Sequence, residues 1–375
     1  MFEGILFILY SVLAAMLVVL AVVLRRAFRT FRMQTKITPS AVVEDMLSVS
    51  VLIPARNESH VMTDCLQRVI NSNYPKLEII VLDDSSRDKT SSLIKAFAHD
   101  GVRFVEGKAL PDGWLGKNHA LNELLKEASG TYALFIDVDT RVEPDTVEQL
   151  VAHAEDEHAS MVSVLPRRDD GIRASTLFAP LRYFWQLIFH RQESPAVASS
   201  AWMVHRKKFI DEYKDFSAMK DVIQPEAAVA ATFMSKGLYR FLIGTTQLGV
   251  SYQKKWASQR DTSVRLLFPL VGGRIAAGLL AVFDLFIVAS PLFIMLSGFV
   301  TGWTVHHWIA ASIYAGYALL YASYLRKVWR RGWAFGALFW GIVAIQEAFL
   351  VLTSMIGYKM NRVMWKGRLV RLAKR

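Results

Sequence analysis

Between residues 46 and 260, short apolar runs closed by turn residues alternate with stretches of helical period. Residues 48–54 predict a strand followed by a helix near 61–70, and residues 77–83 a strand followed by a helix near 89–97. A strand over 102–105 precedes a helix near 118–127, and 132–137 is the next strand. The strands are apolar on both faces, which suits a mostly parallel sheet covered by helices on both sides, so the expected class is α/β. No internal repeat or low-complexity stretch interrupts the pattern.

Outside that region the pattern changes to long apolar segments. Residues 5–24 form a run without a charge, and a hydrocarbon core needs about 20 residues to cross. A secretory signal is the competing reading, but no basic residue precedes the run and no small-residue cleavage site follows it; Arg25 and Arg26 come directly after. Further apolar stretches lie near 275–300, 309–321 and 335–356. The expected organisation is a transmembrane anchor over 1–27, a catalytic domain over 46–260, an interfacial and transmembrane region over 261–358, and a basic cytoplasmic tail over 359–375. Of the 375 residues 53% are hydrophobic, more than one soluble domain needs.

The formal net charge of +11 does not point to nucleic acid, because the cations gather beside the apolar segments. Arg25, Arg26, Arg29 and Arg32 follow the first; Lys254, Lys255, Arg260 and Arg265 precede the second; Arg326, Lys327, Arg330 and Arg331 follow the third. Such placement fits anionic headgroups and cytoplasmic loops. A single cysteine, Cys65, excludes an internal disulfide and a multi-cysteine zinc site.

In a parallel sheet, ligands bind beyond the carboxyl ends of the strands. Those ends are polar here: Pro54, Ala55, Arg56, Asn57 and Glu58 after the first strand, Asp83, Asp84, Ser85 and Ser86 after the second, Asp137 and Asp139 after the fourth. Each set alone reads equally as turn and cap chemistry. Together they describe a nucleotide pocket, with carboxylates accepting from ribose hydroxyls or a base N–H and the Asp-x-Asp pair holding a divalent metal against a diphosphate.

The succession Pro54-Ala55-Arg56-Asn57-Glu58, Val81-Leu82-Asp83-Asp84-Ser85-Ser86-Arg87-Asp88-Lys89-Thr90 and Asp137-Val138-Asp139 resembles the signatures of the inverting family 2 glycosyltransferases, which have a GT-A fold. Gly113-Trp114-Leu115-Gly116-Lys117-Asn118-His119-Ala120 and Trp365-Lys366-Gly367-Arg368 are similar to segments of the membrane-bound branch that glycosylates lipids, including bacterial carotenoid, hopanoid and ceramide glycosyltransferases. The resemblance implies a GT-A, Rossmann-like domain with one N-terminal and several C-terminal transmembrane helices, in the inner or plasma membrane with its catalytic domain cytoplasmic. It implies that Glu58 and Asp83 contact the ribose and base of a UDP-sugar, with Asp84 assisting. Lys117 would face the diphosphate, and Asp137 and Asp139 would hold Mg2+ or Mn2+. Trp114 would line the sugar or acceptor path, or else pack over the adjoining helix.

Two positions depart from the family pattern. Family members carry Glu-Asp ahead of a helix that ends at glycine, the aspartate acting as base; here the helix over 227–236 ends at Gly237 and places Glu226 at that aspartate's position and Pro225 at the glutamate's. A carboxylate in a first helical turn also suits the helix dipole, and Asp221 is the rival base. The Gln/Arg-x-x-Arg-Trp signature of processive synthases is matched by Tyr252-Gln253-Lys254-Lys255-Trp256, with lysine for arginine and its first residue lost. Lys255 and Trp256 become candidate diphosphate and acceptor contacts, or headgroup anchors.

The implied reaction moves a sugar from a nucleotide sugar to a hydroxyl or carboxyl group of a lipid: a terpenoid, hopanoid, ceramide or diacylglycerol. A processive polysaccharide synthase and a non-catalytic membrane scaffold are the alternatives. Residues 177–189, rich in aromatics from Phe178 to Phe189, suit an in-plane helix presenting the acceptor, or a core helix. Asp284 and Glu347 are candidate acceptor-site acids, or interfacial and paired groups. A re-entrant last segment, or one split around Gln346 and Glu347, keeps both Arg326 to Arg331 and the tail cytoplasmic.

Overall fold

A computed structural model of the chain describes residues 2–31 and 46–372. Arg32, the first residue assigned to the anchor and the last three of the basic tail lie outside the described residues. The chain opens with helix α1 (Phe2–Thr30). Strand β1 (Val49–Ala55), helix α2 (Met62–Ile70), β2 (Leu77–Asp83), α3 (Thr90–Ala96), β3 (Val102–Glu106), α4 (Gly116–Glu127) and β4 (Tyr132–Ile136) follow. The alternation read from the sequence is the alternation of the fold. Strands buried on both faces leave unbroken apolar runs; β4 is buried at all of its positions.

After β4 come the two-residue β5 (Thr140–Arg141), α5 (Thr146–Asp156), β6 (Met161–Leu165), the two-residue β7 (Arg167–Arg168), short helices α6 (Ala174–Leu177) and α7 (Arg182–Ile188), β8 (Ala201–His205), α8 (Arg206–Tyr213), α9 (Pro225–Ser235), β9 (Tyr239–Ile243) and the two-residue β10 (Ser251–Tyr252). The main sheet has seven strands in the order β3-β2-β1-β4-β8-β6-β9. All run parallel except β8, which is antiparallel to both β4 and β6. A second sheet, β5-β10-β7, lies at the carboxyl end of the first and ties the turn after β4 to the segment before the membrane helices. Cys65 is buried on α2, and burial together with nearby acids pushes its thiol up to about 12, so it is an inert core group.

The expected helix over 177–189 is instead the pair α6 and α7. Pro180 interrupts it, and a proline both removes a backbone donor and clashes with the preceding turn. Its aromatics divide: Phe184 is fully buried between Tyr324 and Trp340, whereas Phe189 is exposed.

The remainder is helical: α10 (Trp256–Leu270), α11 (Ile275–Thr301), α12 (Val305–Val328), α13 (Trp333–Ala337) and α14 (Trp340–Lys359), followed by the hairpin β11 (Met364–Trp365) and β12 (Arg368–Leu369). Among the described residues three helices are long and apolar enough to cross a membrane: α1, α11 and α14. The boundary expected at 260 falls inside α10. Helix α12 runs parallel to α1, with the Tyr10 hydroxyl donating to the His306 carbonyl at one end and Lys327 over the Phe28 ring at the other. Helix α14 returns along α11, since Gly341 abuts Leu292 while Gly278 abuts Met355. The last apolar stretch is broken at Leu338 and Phe339, between α13 and α14, while Gln346 and Glu347 sit within the continuous α14. Trp329 Nε1 donates to the Asp170 carbonyl at 2.9 Å and Lys366 reaches Glu58, so the Arg326 to Arg331 run and the tail both lie on the catalytic-domain side of the helical layer.

Candidate active site

The loops after β1 and β2 are zipped together by side-chain to backbone bonds. The Asn57 amide donates to Ser86 Oγ at 2.8 Å, the Arg87 amide to Asn57 Oδ1 at 2.8 Å and the Glu58 amide to Thr90 Oγ1 at 2.9 Å. Asn57 and Ser85 take positive φ at 52° and 55°, which turns both loops sharply away from the sheet. Pro54 and Ala55 end β1 in register with Leu82 and Asp83. Asp83 is buried, accepting from the Ser86 amide at 3.2 Å and from Ser91 Oγ. Arg56 donates to the carbonyls of Asp84 and Ser85 and, through Nε, to the Lys366 carbonyl at 3.1 Å.

Four carboxylates at these strand ends each hold a cation. Lys117 Nζ lies 2.8 Å from Asp137 Oδ1, Lys254 Nζ 2.8 Å from Asp139 Oδ2, and Lys366 Nζ 2.7 Å from Glu58 Oε1. Arg368 grips Asp84 with both terminal nitrogens, Nη2 to Oδ1 at 3.0 Å. Burial would push the Asp137 carboxyl up, but the Lys117 and Lys254 cations outweigh it and hold it below the usual range. At Glu58 and Asp84 desolvation wins, and both stay above their ordinary values despite Lys366 and Arg368. Lys254 is raised because Asp139 and Asp137 more than offset its burial.

Two of these cations come from the hairpin β11–β12, more than 300 residues downstream of Glu58. Its two-residue turn, Lys366-Gly367, has φ of 47° and 81°, the type I′ geometry for which glycine is favoured. Arg368 reaches Asp84 over the first residue of α4, Gly116, where an added Cβ would collide with the guanidinium and lie 3.3 Å from Asp84 Oδ2. The gap bounded by Lys117, Arg265, Trp365 and Arg368 has a volume of about 30 Å³.

Glu226 lies in the first turn of α9, 2% exposed, with Oε2 unpartnered among the described residues. It sits in the field of Arg265 on α10, whose guanidinium is pulled down by burial and supported by Asp137 and Glu226. Asp221 is in an exposed turn four residues before α9. Lys255 is exposed at the start of α10, and Trp256 Nε1 donates to Gln346 Oε1 at 3.3 Å, away from the carboxylates. It is Lys254 that the chain turns inward after β10. Trp114 packs edge-to-face on His119 with ring centroids 5.6 Å apart, over the first turns of α4. Glu347 is fully buried and accepts from the Leu181 amide at 3.1 Å; Asp284 is exposed on α11.

Sequence reasoning read Lys254 and Arg265 as cations beside a membrane segment and gave Asn118 and the hairpin's pairing no part in the site. Asn118 Nδ2 donates to the carbonyls of Met219 and Val222, both at 2.7 Å, and so fastens the loop ahead of Glu226 to the helix that carries Lys117.

Residues 50–212 match the family described as Glycosyl transferase family 2. The match runs from β1 into α8. The chain is 37% identical over 113 residues to "Probable glycosyltransferase YdaM" of Bacillus subtilis (strain 168), covering 29% of this chain and 27% of that protein. It is 37% identical over 99 residues to the poly-beta-1,6-N-acetyl-D-glucosamine synthase of Staphylococcus epidermidis, covering 26% and 23%. The matches thus span about a quarter of the length of these relatives. In fold the chain resembles the mannosyltransferase PcManGT from Pyrobaculum calidifontis, solved with GDP-Man and Mn2+, at a TM-score of 0.58 and 18% identity, covering 94% of this chain and 98% of that one. The shared fold is GT-A.

Asp137 and Asp139 present a donor set suited to a divalent cation. They offer hard carboxylate oxygens one residue apart, and among the described residues no cluster of three His, Cys, Asp or Glu side chains forms a cage. Mg2+ and Mn2+ sites of one or two carboxylates completed by substrate phosphates and water have this composition. The residues fit such an ion.

Proposed function

We propose that this chain is a membrane-bound glycosyltransferase that moves a sugar from a nucleotide sugar, first choice a UDP-sugar, to a hydroxyl or carboxyl group of a lipid by inverting single displacement. One observation carries the reading: Asp137 and Asp139, with Lys117 and Lys254, stand at the end of β4 within the field of Arg265 on α10, a helix bonded directly to the membrane-type α14. Tyr358 donates to the Arg265 carbonyl at 2.6 Å and the Phe268 amide to Ser354 Oγ at 3.0 Å. A lipid held among these helices meets the sheet end without leaving the interface.

In this reading Glu58 and Asp83 accept from the ribose and base. Asp137 and Asp139 would hold Mg2+ or Mn2+, whose positive charge would offset the negative charge of the departing diphosphate. Lys117, Lys254, Lys366 and Arg368 share that charge, each exchanging a carboxylate partner for a phosphate oxygen. The acceptor oxygen attacks the anomeric carbon as the bond from that carbon to the diphosphate breaks, and the proton of an acceptor hydroxyl passes to Glu226, whose buried free oxygen has no competing donor. The catalytic domain faces the cytoplasm in this arrangement, beside the basic ends of α1 and α12.

A polymer synthase is the second reading, favoured by the match to the Staphylococcus epidermidis synthase. Both are tested by membranes containing the chain, given labelled UDP-glucose, UDP-galactose, UDP-N-acetylglucosamine and GDP-mannose. Metal-dependent label in a small lipid, lost in Asp139→Ala, supports the lipid transferase; label confined to a long polymer supports the synthase, and none with any donor leaves a scaffold. Glu226→Gln is expected to lower kcat by about 10²- to 10⁴-fold at unchanged donor affinity. If Asp221→Asn does so instead, the base is Asp221.

A further inference from the structure

A second recess lies away from the carboxylates, between α1, α12 and the loop after β9, with a volume of about 1110 Å³. Strand β9 is three places from β4 in the sheet, roughly 14 Å at the usual strand spacing. One half of the recess is aliphatic, walled by Leu17 and Leu24 of α1 and by Leu319 and Leu320 of α12. The other half is cationic: Arg25 and Arg29 from α1, Arg326, Lys327 and Arg330 from α12 and its end, and Arg167 from β7. Among the described residues no acidic side chain lines it. Among the described residues none of the six cations makes an ion pair; Arg326 and Lys327 lie over aromatic rings and Arg167 donates to Thr246 Oγ1 at 2.6 Å.

Like charges repel, so cations gathered without a described counter-charge favour an anionic ligand. Because α1 and α12 run parallel, both present their basic ends at one level and their aliphatic turns above it. From Leu17 to Arg29 the groove climbs roughly 18 Å along α1, comparable with one leaflet's share of the hydrocarbon core plus its headgroup layer. An occupant with an acyl body and an anionic head satisfies both halves. We infer that this groove is a binding site for an anionic glycerophospholipid of the surrounding leaflet, its phosphate held by Arg25, Arg29, Arg326 and Arg330 and an acyl chain lying between α1 and α12. Loop residues Thr245 and Thr246 after β9 add hydroxyls at the headgroup level. The site is separate from the proposed acceptor path and does not depend on transferase activity.

The test is native mass spectrometry of the full chain released from mild detergent and titrated with phosphatidylglycerol, phosphatidylcholine or inorganic phosphate. One phosphatidylglycerol should be retained per chain at least tenfold more tightly than phosphatidylcholine, with no comparable binding of phosphate alone. Arg326→Ala combined with Arg330→Ala should weaken retention about thirty-fold, from the attraction each cation contributes near an anionic headgroup. The Arg326→Lys, Arg330→Lys pair should keep most of it, as should Lys207→Ala with Lys208→Ala, which removes two exposed cations on α8. Equal retention of both lipids, equal loss in the α8 pair, or phosphate binding as tightly as the lipid overturns the assignment.

Discussion

Replacing Arg368 with alanine should release the β11–β12 hairpin without unfolding the domain. The bidentate pair with Asp84 is largely dry, the two side chains being 20% and 5% exposed. Hydrogen bonds to charged groups contribute about 1.5–3 kcal/mol, and removing one partner of a buried pair costs about 3–5 kcal/mol. Partial exposure of Arg368 and the remaining anchors, Lys366 on Glu58 and Val363 and Val370 against Phe268 and Tyr358, place the loss at the lower end, about 2 kcal/mol. That raises the undocked population by up to about thirty-fold. Amide exchange over residues 364–369 reads this opening directly, because exchange of local structure follows its own opening free energy. Gly116→Ala is the orthogonal perturbation: it leaves the first turn of α4 free to form yet puts a methyl group where the guanidinium lies. Both variants should speed exchange in the hairpin and leave β1 and β4 protected. Unchanged exchange at 364–369 in both would refute the claim that Asp84 and Gly116 hold the hairpin down.

Lys254→Met should weaken nucleotide-sugar binding tenfold or more in a calorimetric titration with metal, whereas Lys255→Met should change it less than twofold, since only Lys254 reaches Asp139. Asn118→Ala leaves the Val222 carbonyl without its donor and the Met219 carbonyl with only the Val222 amide, and should cost about 1–3 kcal/mol, read as a lower Tm, with faster exchange over 219–222. The acidic limit of donor binding should be set by Glu58 and Asp84, which ionise above their ordinary values, and not by Asp137, which the Lys117 and Lys254 cations hold below its ordinary value. Lys366→Met removes the strongest influence lowering Glu58, so that limit should move to higher pH; a limit unmoved or moved downward contradicts the pairing.

The first four strands were legible because a strand buried on both faces writes itself as an apolar run bounded by turns. Their polar ends were legible for the same reason: Glu58, Asp83, Asp84, Asp137 and Asp139 stand where such runs stop. What the sequence hid was long-range. Strands β5, β7 and β10 have two residues each and carry no period, so the inward turn at Lys254 was masked by a motif alignment favouring Lys255. The pairing of Lys366 and Arg368 with Glu58 and Asp84 spans about 300 positions and leaves no local trace. Pro180, by contrast, was a visible signal that residues 177–189 would not make one helix.

The order in which these parts are synthesised gives the hairpin a further meaning. Every carboxylate of the pocket is made before α11 and α14, yet two of its cations are made after both. A nascent chain that stops short of α11 therefore carries Glu58 and Asp84 without their cations, while Asp137 and Asp139 already have Lys117 and Lys254. Docking of Lys366 and Arg368 follows synthesis of α11 and α14, so the pocket reaches electrical balance only once both long apolar helices have been made.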